Sequence, residues 1–574
     1  MRAVRTHDLD RVAPAPEGDV TGNGFAADLV VRSANVLTVD ARDAVAQAVA
    51  VRGGVIVAVG SNADVDRLVG AGTRVLDLPG KTVTPGFIDS HTHSVHAGEF
   101  RFGLAQLNLA AELVPSLGEL LEQVRGRAAR AAPGEWIGGR HFDPNGVRER
   151  RWPTRLELDA AAPANPVVLT IRGGHACVAN TRALAAAEIG RDTPDPGGGV
   201  IERDPTTGDL TGLLRDVASI RSAPPPATLR ELKDGLAAIN DLYLRCGVTS
   251  VHDAGATPRP ESYRAFREVV AEGRFKVRAY LMLPREFALA NDLGLRPGAG
   301  DHRLRVGAVK MFMDGSIQCF TCAFEEPYLG RATRGLEGLR YSQEAANALV
   351  AEAHRLGWQV AIHAQGDHGI TMAVNALEHA LRAFPRPDAR HRIEHALCVT
   401  RGDLERMKRL GIVPSFFVFH PWFWGDQHIH DFLGRARAER MVPARTAMDL
   451  GLAPCAHSDC PVCTPDDPVW PSNPLWGMAC AVSRRTRSGD DIGRGERISP
   501  REALRMYTLN GAYAAFEERI KGSLEVGKLG DMVVLAADPL WTEPWRIKDI
   551  AVEATIIGGE VVFGGTGQGE ETEA

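Results

Sequence analysis

The sequence predicts an α/β fold: a (β/α)8 (TIM) barrel inserted into a small β-sandwich built from both chain ends, with a subdomain inserted after barrel strand 1. Three observations carry this. Eight short apolar runs in the middle of the chain alternate with amphipathic segments, β-like runs punctuated by Gly recur at both ends, and one long interval separates the first two barrel runs. Strands alternating with helices imply right-handed crossovers and a parallel sheet, and eight such units close a barrel.

Taken in order, residues 1–27 carry charge, Pro and Gly without the apolar stretch of a secretory signal, and are expected to form a flexible leader. Residues 28–84 hold the runs DLVVRSANVLTVD, AVAVRGGVIVAVG and TRVLDLPGKTVTPG, whose apolar face needs a second sheet to cover it. Residues 517–565 supply one, in GSLEVGKLGDMVVLAADP and AVEATIIGGEVVFGG, so the two ends are expected to meet in one composite domain. The barrel then occupies 85–516. Its strands are TPGFIDSH, GVTSVHDAG, FKVRAYLML, LRVGAVKMFMDGS, WQVAIHAQGD, HRIEHALCV, GIVPSFFVF and LAPCAHSDC. QEAANALVAEAHRLG and HGITMAVNALEHALRAF repeat their apolar residues at three- and four-residue spacing, as helices do. The interval 94–230 is too long for a loop and contains the strand-like WIGGRHFD and NPVVLTIRGGHA, so it is expected to form a subdomain over the barrel mouth. The polar, Gly-rich residues 566–574 are expected to fray.

Composition narrows the function. The chain has 574 residues, 44% hydrophobic and 24% charged, with 66 basic and 72 acidic side chains and a net charge of −6. An acidic excess argues against a nucleic-acid partner, which calls for clustered basic charge. No apolar run approaches the roughly 18–20 residues of a membrane span. Nine cysteines are sparse and odd in number, which fits reduced thiols in the cytoplasm better than a disulfide scaffold. The expected partner is a small-molecule substrate.

The chemistry sits at strand ends. His91 and His93 close the first strand; Lys310 lies in the fourth, His363 in the fifth, His395 in the sixth, and Asp459 follows the eighth. In a parallel barrel these ends converge on one face, where such enzymes place their sites. Residues two apart on a strand point to one side, so His91 and His93 can grip one ion together. Any of these histidines alone is more often a hydrogen-bonded core residue, and Asp459 alone could cap a helix; the joint pattern decides. Imidazoles with a carboxylate form an N/O donor set suited to Zn²⁺ and tolerant of Mn²⁺, Fe²⁺ or Co²⁺. Lys310 lies between apolar neighbours and is one of eight lysines, so its burial calls for a partner or a modification.

PGFIDSHTH (85–93), VKMFMDGS (309–316), IHAQGD (362–367), RIEHA (392–396), the HSD ending at Asp459, and GSLEVGKLGDMVVL (522–535) together resemble the amidohydrolase superfamily, specifically the family 3 group of N-substituted formamide deformylase-like hydrolases. The resemblance implies that the barrel is distorted. It implies that His91, His93, His363, His395 and Asp459 are ligands to one or two divalent ions, Zn²⁺ by preference, and that Lys310 bridges two ions when N-carboxylated. It further implies a metal-dependent hydrolase of non-peptide C–N bonds, with Asp459 as general base and acid, and a homodimer. Two rival readings are a metal-dependent deaminase of an amino-heterocycle and a non-catalytic metal-binding regulatory protein. Lys310 weighs against the first and the complete ligand set against the second.

Five further residues are expected to shape the substrate pocket: His175 in RGGHACVAN, His252 at the end of strand two, Asp314 just past Lys310, and His420 and Trp422 in the aromatic run FFVFHPWFW. His175 could instead sit in a polar turn of the subdomain, the aromatic run could simply close the barrel rim, His252 with Asp253 could hold the metal ligands in place, and Asp314 could cap a helix. Cys319-x-x-Cys322 and Cys460-x-x-Cys463 read as small apolar fillers of loop pockets rather than a four-thiolate zinc site. The whole reading requires Lys310 and Asp459 to lie beside the paired imidazoles.

Overall fold

Eight parallel strands, buried along most of their length, form the centre of the molecule: β1 (Phe87–Thr92), β2 (Val248–Asp253), β3 (Arg278–Pro284), β4 (Leu304–Phe312), β5 (Gln359–Ala364), β6 (Arg392–His395), β7 (Val413–Phe416) and β8 (Cys455–Ala456). They are seen in a computed structural model that describes residues 26–96, 107–217, 219–255, 260–284, 290, 293–460 and 473–564. Each strand pairs in parallel with its neighbour from β1 to β8. All eight are the apolar runs read from the sequence, as expected for strands covered on both faces. The helices Gln343–Arg355 and Asp367–Ala383 follow β4 and β5, the first capped by Ser342, whose side chain accepts from Ala345 N. Glycine is needed at Gly86, because a Cβ there would collide with the Thr249 side chain of β2.

The barrel is distorted where it closes. Strand β8 has only two residues, and its junction with β1 is an isolated parallel bridge between Thr92 and Cys460 in place of a ladder. Side chains reinforce this seam. Buried Asp89 accepts from Ser458 N at 3.1 Å and from Ser458 Oγ at 2.5 Å, while Ser90 Oγ donates to Ala456 O at 2.7 Å.

A six-stranded sheet joins the two ends of the chain. Thr82–Pro85 lies antiparallel to Met532–Leu535, with Val83 opposite Val534, and parallel to Asn35–Leu37. A four-stranded sheet, ordered Val55–Gly60, Ala48–Arg52, Leu29–Arg32, Arg74–Asp77, shares a core with it through Val31, Val51, Val83, Val534 and Ile556. Ala27, assigned to the leader from sequence, already belongs to this layer: it is buried and its N–H donates to Leu68 O at 2.8 Å. The rest of the leader before Ala26, and the tail at 566–574, lie outside the described residues. Arg278, at the start of β3, forms a buried pair with Asp531 (Nε–Oδ2 2.7 Å), which fixes the sandwich to the N-terminal end of the barrel.

Between β1 and β2 a second six-stranded sheet runs Val200–Arg203, Leu210–Arg215, Ala176–Ala179, Val167–Ile171, Ile137–Phe142, Leu107–Asn108. It touches loops that follow barrel strands: Asp216 bonds Thr321 and Arg340 after β4, and Arg150 pairs with Asp431 after β7. It therefore lies over the C-terminal mouth.

At the opposite end, two buried histidines form a chain of fixed polarity. Val360 N–H donates to His391 Nδ1 (2.9 Å), so His391 Nε2–H donates to His354 Nδ1 (2.9 Å) and His354 Nε2–H to Phe384 O (2.6 Å). Burial pulls both imidazoles below their ordinary 6.5. Among the described residues no helix is long and apolar enough to cross a membrane.

Candidate metal centre and active site

The strand ends bring their polar side chains together. Asp459 Oδ1 lies 3.3 Å from His93 Nε2 and 3.5 Å from His91 Nε2, and one donor atom from each of these three residues lies within 4.8 Å of the others. Lys310 Nζ is 3.3 Å from His91 Nε2 and 4.4 Å from the centre of the Phe312 ring. The His395 ring is 4.8 Å from that of His91 and 4.5 Å from that of His363. Six side chains from five strands thus share one pocket.

Backbone geometry explains how they converge. Arg392 and Glu394 alternate inward on β6, so plain alternation would turn His395 outward. His395 and Ala396 instead adopt φ of 68° and 46°, a left-handed turn that swings the imidazole back into the mouth. Asp459 also has a positive φ, 59°. Such backbone costs roughly 1–3 kcal/mol per residue and clusters at functional sites.

The electrostatics suit a cation. Burial pushes the Lys310 ammonium down to about 8, opposed by the carboxylates of Glu394 and Asp459. Burial would raise the Asp459 carboxyl, but the imidazoles of His93 and His457 with Lys310 hold it at about 2. His91, His363 and His395 are driven well below 6.5, first by burial. Neutral imidazoles beside an ionised carboxylate are the state in which a metal is bound.

The residues present fit a metal ion. Tetrahedral ligands at about 2.0–2.1 Å from zinc sit about 3.3 Å from each other; Asp459 Oδ1 lies 3.3 and 3.5 Å from the two imidazole nitrogens, and all three donor atoms lie within 4.8 Å of one another. Among the described residues, buried His395 Nδ1 and both ring nitrogens of His457 have no hydrogen-bond partner. Nitrogens so placed cost free energy that coordination or a bound polar ligand would offset. His363 differs in donating Nε2–H to Gly315 O at 3.0 Å, which leaves Nδ1 as its lone-pair nitrogen.

The five pocket candidates separate. His175 reaches the site from the inserted sheet: its ring is 5.2 Å from that of His363, and its Nδ1 is 2.8 Å from Asp216 Oδ1. Asp216 also accepts from Thr321 Oγ1 (2.8 Å) and Arg340 Nη2 (2.9 Å); against burial, these partners hold its carboxyl at about 2. His420 stands behind Phe417, ring centres 5.3 Å apart, and is tied by Nδ1 to His428 Nε2 at 2.8 Å.

The remaining three need correction as substrate contacts. His252 is fully buried beneath the strand-end cluster, its Nδ1 accepting from Arg392 Nη1 at 2.9 Å, so it supports the site from below. Asp314 is fully buried and accepts from the backbone N–H groups of Ala323, Gln365 and Gly366 at 3.0–3.1 Å, which makes it a staple between two loops. Trp422 packs on Trp476 and Trp545, with ring centres 5.1 and 6.0 Å away. Phe417 is the aromatic that reaches the cluster, 5.0 Å from the His457 ring and 5.9 Å from the His395 ring. Cys319, Cys322 and Cys460 are buried, and Cys319 packs with Ile171, Ala176 and Leu213 of the inserted sheet. Cys463 lies outside the described residues.

Two groups at the site were not singled out from sequence. His457 stands between His91 and His395, 4.9 and 5.0 Å from their rings. Glu394 accepts from His91 Nδ1 at 2.6 Å and is held by Arg392, whose Nε and Nη2 donate at 2.7 and 2.9 Å. The position of His457, two residues before Asp459 at a strand end, was the available signal for it.

With this geometry in place, comparison with known proteins decides the family. The model of the amidohydrolase family matches residues 74–563. The chain belongs to the amidohydrolase family. An N-substituted formamide deformylase of Arthrobacter pascens is 33% identical to this amidohydrolase over 94% of the chain and 99% of the relative. The putative amidohydrolase YtcJ of Bacillus subtilis is 30% identical over 90% of the chain and 96% of the relative. Among solved structures, an uncharacterized metal-dependent hydrolase from Pyrococcus furiosus superposes with a TM-score of 0.68 at 26% identity, covering 89% of this chain and 99% of that one. The chain is thus a metal-dependent amidohydrolase acting on carbon–nitrogen bonds.

Proposed function

We propose that this amidohydrolase cleaves the C–N bond of an N-substituted formamide or a closely related small amide, releasing a carboxylate and an amine. The observation that carries the reading is the approach of Asp459 to both imidazoles of the first strand, with Lys310 Nζ beside the same His91 nitrogen. The full-length similarity to a formamide deformylase supports the substrate class.

His91, His93, His363, His395 and Asp459 would hold one or two Zn²⁺ ions, with Lys310, N-carboxylated, between two. Bound zinc supplies Lewis acidity and brings the pKa of a water towards about 7. Asp459 takes the proton of the attacking water on a carboxylate oxygen and returns it to the leaving nitrogen, so that the amine departs neutral. His175, braced by Asp216, contacts the carbonyl side of the substrate from the inserted sheet. Phe417, backed by His420, lines the apolar wall.

A screen of zinc- and manganese-loaded protein against N-aryl and N-alkyl formamides, acetamides, carbamates, lactams and amino-heterocycles tests this. Turnover of a formamide above the acetamide supports it. Ammonia release from an amino-heterocycle without amide cleavage, or a folded, metal-loaded protein inert to every compound, overturns it.

A further inference from the structure

Beneath the metal pocket lies a buried ionic chain that the hydrolytic steps do not use. Arg392 grips both oxygens of Glu394, and Glu394 Oε2 lies 2.6 Å from His91 Nδ1. We propose that Glu394, clamped by Arg392, is a positioning residue that keeps the proton of His91 on Nδ1 and thereby commits the Nε2 lone pair to the metal pocket.

The assignment follows from donor counting. A carboxylate that takes guanidinium N–H groups on both oxygens has only acceptor capacity to offer a third partner, so the imidazole must donate. With the proton on Nδ1, the free lone pair of the neutral ring is on Nε2, the atom 3.3 Å from Lys310 Nζ and 3.5 Å from Asp459 Oδ1. Arg392 cannot readily turn away: it also donates to Ser90 O at 2.6 Å, His252 Nδ1 at 2.9 Å and Ser415 Oγ at 3.3 Å. These partners come from β1, β2 and β7, and all are fully buried, so a lost bond would leave a buried polar group at a cost.

Packing alone does not account for the pair. A buried arginine–glutamate pair gains little or no stability over apolar residues of similar size, because desolvation offsets the attraction. Orienting a ligand is a role that apolar residues could not fill, and partners of this kind typically change metal affinity 10–100-fold.

The inference rests on the metal-site reading, and its test uses no substrate. In metal-free wild-type protein labelled with ¹⁵N-histidine, the His91 ring, assigned by its loss in H91N, is expected as the Nδ1–H tautomer. A proton on Nε2 overturns the proposal, and this measurement stands whether or not any Glu394 variant folds. In parallel, Zn²⁺ affinity is measured by chelator competition for wild type and E394Q, with melting of the metal-free forms as the control for folding. The expected result is a loss of about 10–100-fold in affinity for folded E394Q. Affinity equal to wild type overturns the proposal. A wild type that binds no Zn²⁺ sinks the functional reading instead, leaving the tautomer to decide this one.

Discussion

Lys310 Nζ sits 3.3 Å from His91 Nε2, a buried amine against a buried imidazole, with burial pulling the ammonium down to about 8. An amine so placed is partly neutral near pH 8 and can add CO2, forming a carbamate and releasing one proton. Metal-free protein reloaded with Zn²⁺ should regain activity several-fold faster with bicarbonate than in CO2-stripped buffer. Protein equilibrated with ¹³CO2 should show a carbamate resonance that K310M lacks. K310M should lose about 10²-fold or more in activity, beyond the effect of losing an outer partner, and should not respond to bicarbonate.

Asp459 is expected to separate catalysis from metal binding. D459N keeps the shape and one oxygen donor but cannot take up a proton. Turnover should fall by about 10²–10⁴-fold, the usual worth of general acid–base catalysis, while metal analysis shows most of the zinc retained. Equal loss of metal and activity would make Asp459 a ligand alone.

His175 tests whether the inserted sheet takes part in the reaction. H175A should lower kcat/KM by about 10–100-fold, the cost of a lost hydrogen bond to a charged group at roughly 1.5–3 kcal/mol. Melting temperature should stay near wild type, since Asp216 keeps Arg340 and Thr321. Unchanged kinetics would confine His175 to holding the sheet in place.

The His354–His391 chain sets an acid limit on stability. Both pKa values are depressed in the fold, so below 6.5 the unfolded chain binds protons that the folded chain refuses. Stability therefore falls as pH drops from 6.5 towards the folded values, at up to about 1.4 kcal/mol per pH unit for each ring. H354Q should reduce the slope of stability against pH, by at most one proton, in denaturant melts at pH 5–7.

The barrel was legible because its parallel strands are buried on both faces and read as apolar runs, five of them with a metal-competent side chain within or at the end of the run. His91, His93, Lys310 and Asp459 could be placed on that basis alone. Glu394 could not: alternation with His395 inward puts Glu394 outward, and only the left-handed turn at His395 lets both face the interior. Asp314 misled for a related reason. It follows Lys310 closely in sequence, yet its orientation is fixed by backbone N–H groups of Ala323, Gln365 and Gly366, which local pattern does not reveal. Trp422 shows the limit of reading an aromatic run as one surface, because Phe417 and Trp422 face different neighbours.

The seam between the first and last strands lacks a ladder, and the two flanks of that seam carry His91 and His93 on one side and His457 and Asp459 on the other. An ion held across it would act as a rivet in the hoop. Stripping it with a chelator should raise amide hydrogen exchange first around residues 87–93 and 455–460, so that the enzyme loosens where it works while the far side of the cylinder stays shut.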